Sequence, residues 1–201
     1  MKKIGIILLA AGASRRMGQA KQLLKINATQ TLIEYTISTA QAIPSTALVL
    51  VLGANATAIQ KIVPKEIPIR INKNWAQGMG TSLQTGLQFL LQKMPDLSAV
   101  IISVCDQPYL KPAIFEQLIS KYTHTPFPII SADYGNKLGV PALLDQQFFS
   151  QLLALKADEG ARKIIRNNPS LVGTIPFAKG AIDIDTPEAY QAYLDKNEVV
   201  L

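Results

Sequence analysis

A loop of small residues and cations near the start of the chain carries the clearest chemical signal. The apolar run Ile4–Leu9 leads directly into Ala10–Lys21, which holds two glycines and the cations Arg15, Arg16 and Lys21. Small residues let backbone N–H groups approach a ligand closely, and cations neutralise an anion held there. The loop is therefore predicted to cradle nucleotide phosphates, the alternative being a solvated basic loop. Its spacing fits neither the Walker A pattern nor the dinucleotide pattern G-x-G-x-x-G.

Carboxylates form a second group of candidate residues. Asp106 follows the apolar run Ala99–Val104, and Asp183 and Asp185 alternate with apolar residues nearer the end of the chain. Side chains two residues apart in an extended segment point the same way. Because Mg²⁺ is usually held by one or two carboxylates with phosphates and waters, we predict that Asp106 binds Mg²⁺ together with Asp185 or Asp183. The alternative for each carboxylate is a structural role, such as capping a helix.

A third segment, Asn72–Leu83, combines amides, glycines and hydroxyls at the start of a predicted helix. Backbone N–H groups and the helix dipole at such a place can bind an anion or a base. The alternative is a capped loop in which Trp75 is a packing anchor. Arg162 also begins a predicted helix, where a cation opposes the dipole, which indicates either use in a site or a surface ion pair.

Composition restricts the classes of function. The chain has 201 residues with 48% hydrophobic residues and a net charge of +6, which suits a packed domain with an anionic ligand. It has one cysteine and one histidine, which exclude a Cys/His zinc site and an intrachain disulfide and fit a cytoplasmic protein. We interpret Cys105 as a small buried residue rather than a nucleophile, and His124 as a surface residue in a loop.

Nucleic acid and membranes are not expected partners. The charges are scattered, with no run of cations and no basic stripe interleaved with aromatic residues. No apolar stretch approaches the ~20 residues of a membrane span. The start of the chain is similar to a signal peptide, but its apolar run is short and the cations that follow continue the ligand loop, so we interpret that run as a strand.

Short apolar runs alternate with helix-length amphipathic segments along the chain. The runs are apolar without alternation, which is typical of strands covered on both faces. This order predicts an α/β protein, a three-layer α/β/α sandwich with a mostly parallel sheet, as a single domain over residues 1–201. The predicted strands are Ile4–Leu9, Ala47–Leu52, Ile67–Ile71, Ala99–Val104, Pro128–Ala132 and Val172–Pro176. The predicted helices are Leu32–Ile43, Ala56–Val63, Thr81–Lys93, Pro112–Tyr122, Gln146–Leu155, Ala161–Asn167 and Pro187–Asp195.

Three of the candidate segments follow predicted strands. Because ligands bind at the carboxyl ends of strands in such sheets, we expect Ala10–Lys21, Asn72–Gly80 and Cys105–Pro108 to meet at one edge. Gly135–Pro141 is rich in glycine and proline and is predicted to be a loop or a small inserted hairpin.

Taken in order, these segments resemble the MobA-like nucleotidyltransferases, and most closely the molybdenum cofactor cytidylyltransferases. The resemblance covers nearly the whole chain. The segments that carry it are Leu9–Lys21 (LAAGASRRMGQAK), Asn74-Trp75 with Gly78-Met79, Ser82-Leu83 and Gly86-Leu87, Cys105–Pro108 (CDQP), Gly139–Pro141 (GVP), Asp158–Arg162 (DEGAR) and Asp183–Glu188 (DIDTPE).

The resemblance implies a Rossmann-like fold and a Mg²⁺-dependent reaction in which an acceptor phosphate attacks the α-phosphorus of a nucleoside triphosphate. CMP would pass from CTP to a molybdopterin-type acceptor, with a molybdenum hydroxylase as a client. The implied catalytic residues are Arg16, Lys21 and Asp106, and the implied metal ligands are Asp106, Asp185 and Asp183. The implied nucleotide-binding residues are Leu9, Ala10, Ala11, Gly12, Ser14, Arg15, Lys21, Asn74, Gly78 and Ser82. The implied acceptor-binding residues are Gly139, Pro141 and Arg162.

Two positions bear on the substrates that the resemblance implies. Guanylyl enzymes of the family tend to carry glycine where this chain has Ala11, whose methyl group would crowd a purine, so CTP is favoured over GTP. Many relatives carry histidine where this chain has Val140, on the acceptor side.

Three alternatives stay open: a guanylyltransferase, a non-catalytic chaperone that delivers the cofactor, and an NAD(P)H-dependent reductase of the same branch. No dinucleotide fingerprint supports hydride transfer.

Overall fold

The computed structural model describes residues 2–44 and 46–199, and within them one seven-stranded sheet forms the centre of the molecule. The strand order is β3-β2-β1-β4-β6-β5-β7, and β6 alone runs antiparallel to its neighbours β4 and β5. The strands are β1 Ile4–Ala10, β2 Thr46–Leu52, β3 Ile69–Ile71, β4 Ala99–Val104, β5 Ile129–Asp133, β6 Leu138–Asp145 and β7 Val172–Pro176.

Helices cover both faces of the sheet. They are α1 Leu32–Gln41, α2 Ala56–Ile59, α3 Met79–Lys93, α4 Pro112–His124, α5 Phe149–Leu153, α6 Ala161–Asn167 and α7 Pro187–Lys196. Alternate residues of β1 enter opposite cores: Ile6 and Leu8 pack with α1, α2 and α4, whereas Ile7 and Leu9 pack with α3, α5 and α6. This two-sided burial explains the unbroken apolar run of β1 and confirms the predicted three-layer α/β sandwich.

The largest difference from the sequence prediction is β6. Gly135–Pro141 was predicted as a loop or small hairpin, but only its start turns, and Leu138–Asp145 enters the sheet between β4 and β5. Pro141 cannot donate to the ladder, and the register of β5 against β6 shifts at Ser131 and Ala132, beside it. A strand tolerates proline at such a bulge. Because the glycine and the proline interrupt the apolar pattern, this central strand was not predicted from the sequence.

Several helix boundaries also differ. The predicted helix Ala56–Val63 ends at Ile59, after which hydrogen bonds continue at three-residue spacing, such as Ile62 N–H to the Ile59 carbonyl. The predicted helix Gln146–Leu155 divides into a 3-10 turn, Gln146–Phe148, and the short α5. His124 ends α4 rather than lying in a loop, and it is exposed as predicted.

The predicted convergence of loops is confirmed by the strand register. Leu9 of β1 lies beside Val104 of the parallel β4, and Leu52 of β2 lies beside Ile71 of β3. The chain therefore leaves all these strands at the same edge. No helix within residues 2–44 and 46–199 is long and apolar enough to cross a membrane.

A third apolar cluster holds the segment around Ile184 in place at the sheet edge. Ile184 is fully buried with Met17 of the first loop and with Tyr193 and Leu194 of α7. Thr186 caps α7 by accepting a hydrogen bond from the Ala189 N–H, and Pro187 lies in the first turn. The residues on either side of Ile184 are thereby held at the sheet edge.

Candidate active site

A cavity of about 440 Å³ opens at the carboxyl ends of β1 and β4. Most of the residues predicted to bind a nucleotide line it, together with the predicted metal ligand Asp106; they are Leu9, Ala10, Ala11, Gly12, Ser14, Arg15, Lys21, Gly78 and Ser82. Asn74 and Arg16 do not line it. We refer to it below as the first cavity.

The loop Ala10–Lys21 is folded around a buried glutamine that the sequence analysis did not single out. The Gln22 amide nitrogen donates to the carbonyls of Ala10 and Gly12, each at 3.1 Å. The Ser14 hydroxyl donates to the Gln22 amide oxygen at 3.3 Å and accepts from the Lys21 N–H at 3.2 Å. Ser14 has a φ of 54°, in the left-handed region. These bonds hold the loop in a tight curve along the wall of the cavity.

Lys21 connects two carboxylates that are far apart in the chain. Its ammonium donates to Asp106 Oδ2 at 2.7 Å and to Asp185 Oδ1 at 2.6 Å, and its side chain is only 11% exposed. Burial disfavours the charged amine, but the charge and hydrogen bonds of the carboxylates outweigh that effect, so the pKa of Lys21 is raised. Lys21 is therefore a fixed positive charge at the floor of the site.

Arg16 reaches the same carboxylate from the solvent side. Its guanidinium donates to Asp185 Oδ2 at 2.8 Å, while its side chain stays 72% exposed. Although partial burial opposes ionisation, the bonds from Lys21 and Arg16 hold the pKa of Asp185 below its ordinary value. Arg16 thus lies near the first cavity without forming its wall.

Asp183 is the third acidic residue of this cluster. The buried Ile184 donates its N–H to the Asp106 carbonyl at 2.9 Å, which brings both flanking aspartates close to Asp106. Loss of hydration and the negative charges of Asp106 and Asp185 raise the pKa of Asp183 to about 6. The structure therefore brings together the three carboxylates that the sequence analysis selected.

The cluster fits a cation that takes few protein ligands. No group of three or more His, Cys, Asp and Glu side chains in the described part of the chain is arranged to hold a metal by itself. Mg²⁺ commonly uses one or two carboxylates and completes its coordination with phosphates and waters. Asp106 and Asp185 present hard oxygen donors of this kind, and their charge is compensated by the Lys21 ammonium in the structure.

A second cavity of about 310 Å³ adjoins the first and shares Asp106 with it. Asp183 and Arg162 also line it. Of the two other predicted acceptor-binding residues, Gly139 and Pro141, neither lines it, whereas Val140 between them does. Side chains alternate along β6, and a Cβ at Gly139 would lie 2.7 Å from the Tyr134 hydroxyl oxygen, so that position is filled by packing.

Gln107 ties the walls of the second cavity together. Its amide nitrogen donates to the Tyr134 hydroxyl at 2.9 Å and to the carbonyls of Val140 and Gly180 at 3.1 and 2.8 Å. Since a carbonyl can only accept, these contacts fix the orientation of the amide. Within residues 2–44 and 46–199, the buried Gln107 Oε1 has no hydrogen-bond partner. No role for Gln107 was predicted from the sequence, although it follows Asp106 directly.

The segment Asn72–Leu83 forms the opposite wall of the first cavity. The buried Asn72 amide donates to the hydroxyls of Thr81 and Ser82 at 2.7 and 2.9 Å, and its oxygen accepts from the Asn74 N–H at 2.9 Å. Gly78 has a φ of 136°, and a Cβ there would lie 2.2 Å from the Ala157 carbonyl oxygen. The segment is therefore a capped loop that lines the cavity, and its binding of an anion or a base stays a prediction.

Cys105 is buried directly behind Asp106, as predicted. Burial raises the pKa of its thiol to about 12, so it stays protonated and is not a nucleophile. The charged groups available at this edge are therefore cations and carboxylates rather than a thiolate.

Comparison with known proteins agrees with this geometry. The family described as the MobA-like NTP transferase domain matches residues 6–172. The chain is 31% identical over 194 residues to nicotine blue oxidoreductase of Paenarthrobacter nicotinovorans, which covers 90% of this chain and 92% of that protein. It is 26% identical over 198 residues to the purine catabolism protein PucB of Bacillus subtilis strain 168, which covers 92% of both chains.

Among solved structures, Rv0371c of Mycobacterium tuberculosis H37Rv superposes with a TM-score of 0.84 at 25% identity, covering 96% of this chain and 98% of that one. The structure of that protein in complex with manganese has a TM-score of 0.78 at 22% identity, with 96% and 98% coverage. Because the family match spans most of the chain, the chain belongs to the MobA-like NTP transferase family and carries a nucleotidyltransferase domain.

Proposed function

We propose that this protein transfers CMP from CTP to the phosphate of a molybdopterin-type acceptor, with release of pyrophosphate and with Mg²⁺ as the cofactor. The observation that carries the proposal is the meeting of two cavities at one carboxylate, Asp106. A group-transfer enzyme needs a donor and an acceptor side by side, with charge stabilisation where they meet.

The first cavity suits the donor nucleotide. Leu9–Gly12, Ser14 and Arg15 line the cavity in which a triphosphate would lie. An oxygen of the acceptor phosphate would bond to the α-phosphorus as the bond to the β-phosphate oxygen breaks, and pyrophosphate would leave with that electron pair. Lys21 and Arg16 would stabilise the developing charge, and no covalent nucleophile or histidine is required.

Mg²⁺ is assigned to Asp106 with Asp185 or Asp183. When bound with the nucleotide, it would supply charge stabilisation at the phosphates. The acidic pair beside Lys21 supports this assignment, as does the manganese complex of the similar Rv0371c. Asp183 has less compensating charge than Asp185, which is bonded to both Lys21 and Arg16.

The donor base is assigned as cytosine because of Ala11. Its side chain is buried at the cavity wall, and its carbonyl accepts from the Ala54 N–H at 3.1 Å, which fixes it in place. A fixed methyl group leaves less room for a purine than glycine would. The conversion Ala11→Gly should therefore improve binding of GTP relative to CTP.

A thermal-shift panel with CTP, GTP, ATP, UTP and NADPH, each with and without Mg²⁺, is the first test. A ligand at 100 times its Kd stabilises the folded state by about 2.7 kcal/mol, which is easily seen. We expect a Mg²⁺-dependent shift with CTP, followed by transfer of labelled CMP to the acceptor in a direct assay. A shift with GTP alone would indicate a guanylyltransferase that uses GTP as the donor.

A reductase is the second candidate function, because the relative with 31% identity bears the name of an oxidoreductase. The discriminating variant is Asp106→Ala, with the exposed Asp195→Ala as a matched control. Oxidation of NAD(P)H that survives Asp106→Ala would contradict the transferase. Cofactor delivery to a client without any CMP transfer would instead indicate a chaperone.

A further inference from the structure

A groove of about 710 Å³ lies on the far side of Arg162 from the reacting centre. Arg162 lines both this groove and the second cavity, so the two are neighbours separated by one side chain. Lys137 and Arg166 line the groove as well, above an apolar floor that includes Leu138, Ile165 and Val172. We call this feature the basic groove.

The three cations of the basic groove are not bonded to any carboxylate in the described part of the chain, although the charge of Lys137 acts on Asp183 and Arg162 lines the second cavity with that residue. None of them forms an ion pair within residues 2–44 and 46–199, and no Asp or Glu is among the residues that line the groove. By contrast, Lys163 on the same helix pairs with Glu159 at 2.5 Å. The lack of pairing is therefore confined to the side of α6 that faces the groove.

The arrangement is unfavourable for the protein by itself. Arg162 and Arg166 are four residues apart on α6, and like charges at this spacing destabilise a helix. Lys137 approaches them from the turn between β5 and β6, an element distant in sequence. An anion bound between the three cations would be attracted to each of them and would offset their mutual repulsion. Guanidinium groups fit phosphate and carboxylate oxygens well.

We propose that the basic groove binds the far end of the acceptor substrate. The acceptor would then be an elongated anion, with its nucleophilic phosphate at Asp106, an apolar or planar portion on the floor, and a second anionic group at Lys137 and Arg166. This inference rests on the proposed function. Lys137 and Arg166 determine which acceptor binds and take no part in the bond-making step.

The test begins with a probe that does not depend on the acceptor's identity. Naphthalene-1,5-disulfonate, a planar dianion, is titrated into isotope-labelled protein and followed by amide chemical shifts. We expect saturable shifts at residues 137–138 and 162–174, and at least a tenfold higher Kd in Lys137→Gln/Arg166→Gln. The control Lys61→Gln/Lys65→Gln removes the same charge beyond the opposite end of the sheet and should bind as the wild type does.

The same variants are then assayed with the molybdopterin-type acceptor. The KM for the acceptor should rise about tenfold in Lys137→Gln/Arg166→Gln, while the KM for CTP stays unchanged. Probe binding that is equal in this variant and the wild type, or shifts confined to other regions, would overturn the inference. Normal probe binding in a protein that transfers no CMP would instead overturn the proposed function and leave the groove as an anion site.

Discussion

The first cavity and the basic groove both hold cations, but they hold them in opposite ways. Lys21 and Arg16 are bonded to carboxylates from distant parts of the chain, whereas Lys137 and Arg166 have no ion-pair partner in the described part of the protein. Charges that are held by partners before a ligand arrives need little reorganisation during a reaction, which is the requirement for catalysis. Charges without partners gain most from an incoming anion, which suits recognition.

The largest effect is expected where the two cavities meet. Asp106→Asn keeps the size of the side chain but removes the charge between Lys21 and the assigned metal. The kcat for CMP transfer should fall by about 10²–10³, as for other preorganised charged groups. Single-turnover kinetics with saturating CTP and Mg²⁺ measure this directly, and Asp195→Asn, on the exposed face of α7, is the control. An unchanged kcat would remove Asp106 from the chemistry.

Variants of Lys21 and Arg16 test whether a buried paired cation contributes more to stability than an exposed paired cation does. Lys21→Gln leaves two carboxylates facing each other without the ammonium, so kcat should fall by about 10²–10³ and the free energy of unfolding by about 1–3 kcal/mol. Arg16→Gln should reduce kcat but lower the free energy of unfolding by no more than ~1 kcal/mol, since its side chain is exposed. Urea denaturation of both variants measures the stability difference, and equal losses would contradict the comparison.

Gln107 tests how rigidly the second cavity must be held. Gln107→Ala leaves the buried Gly180 carbonyl without its donor, so the free energy of unfolding should fall by about 1–3 kcal/mol. The KM for the acceptor should rise while the KM for CTP changes little, because Gln107 does not line the first cavity. Gln107→Asn keeps the amide on a shorter side chain, so it should restore only part of the free energy of unfolding that Gln107→Ala loses. A rise in both KM values would indicate a general loss of structure.

The smallest effect is a dependence of stability on pH. The pKa of Asp183 is raised to about 6, so the folded state holds this proton more tightly than the unfolded state does. Its contribution to stability is present below pH ~4 and is lost as the pH rises to about 6. Asp183→Asn should therefore be more stable than the wild type at pH 7, and the difference should vanish near pH 4.

Asp96 offers a control of opposite sign. Its hydrogen bond from Lys3 lowers the pKa of the exposed Asp96 carboxyl, so Asp96→Asn should be less stable than the wild type above pH ~4, and the difference should vanish as the pH falls toward about 2. Urea denaturation curves at several values of pH between about 2 and 8 compare the two variants. If the stability differences of both variants from the wild type have the same sign at pH 7, the pKa of Asp183 is not raised in the folded protein.

Much of the donor side was predictable because its residues are neighbours in sequence. A strand buried on both faces must be apolar throughout, so β1 and β4 were visible, and the loops after them were expected at one edge. Gln22 was missed although it lies next to Lys21, because a buried amide that bonds to carbonyls has no distinctive spacing. The strand β6 was missed because glycine and proline interrupt its apolar pattern.

The fold class, the loop that lines the first cavity and the three acidic residues of the cluster were all predictable from the sequence. The pairing of these residues was not predictable, because it joins distant parts of the chain: Lys21 with Asp185 across 164 positions, Arg16 with the same carboxylate across 169, and Gln107 with Gly180 across 73. Local patterns reflect which faces are buried and where the chain turns. Contacts between distant residues depend on strand order and on the packing of α7, which a local pattern does not contain.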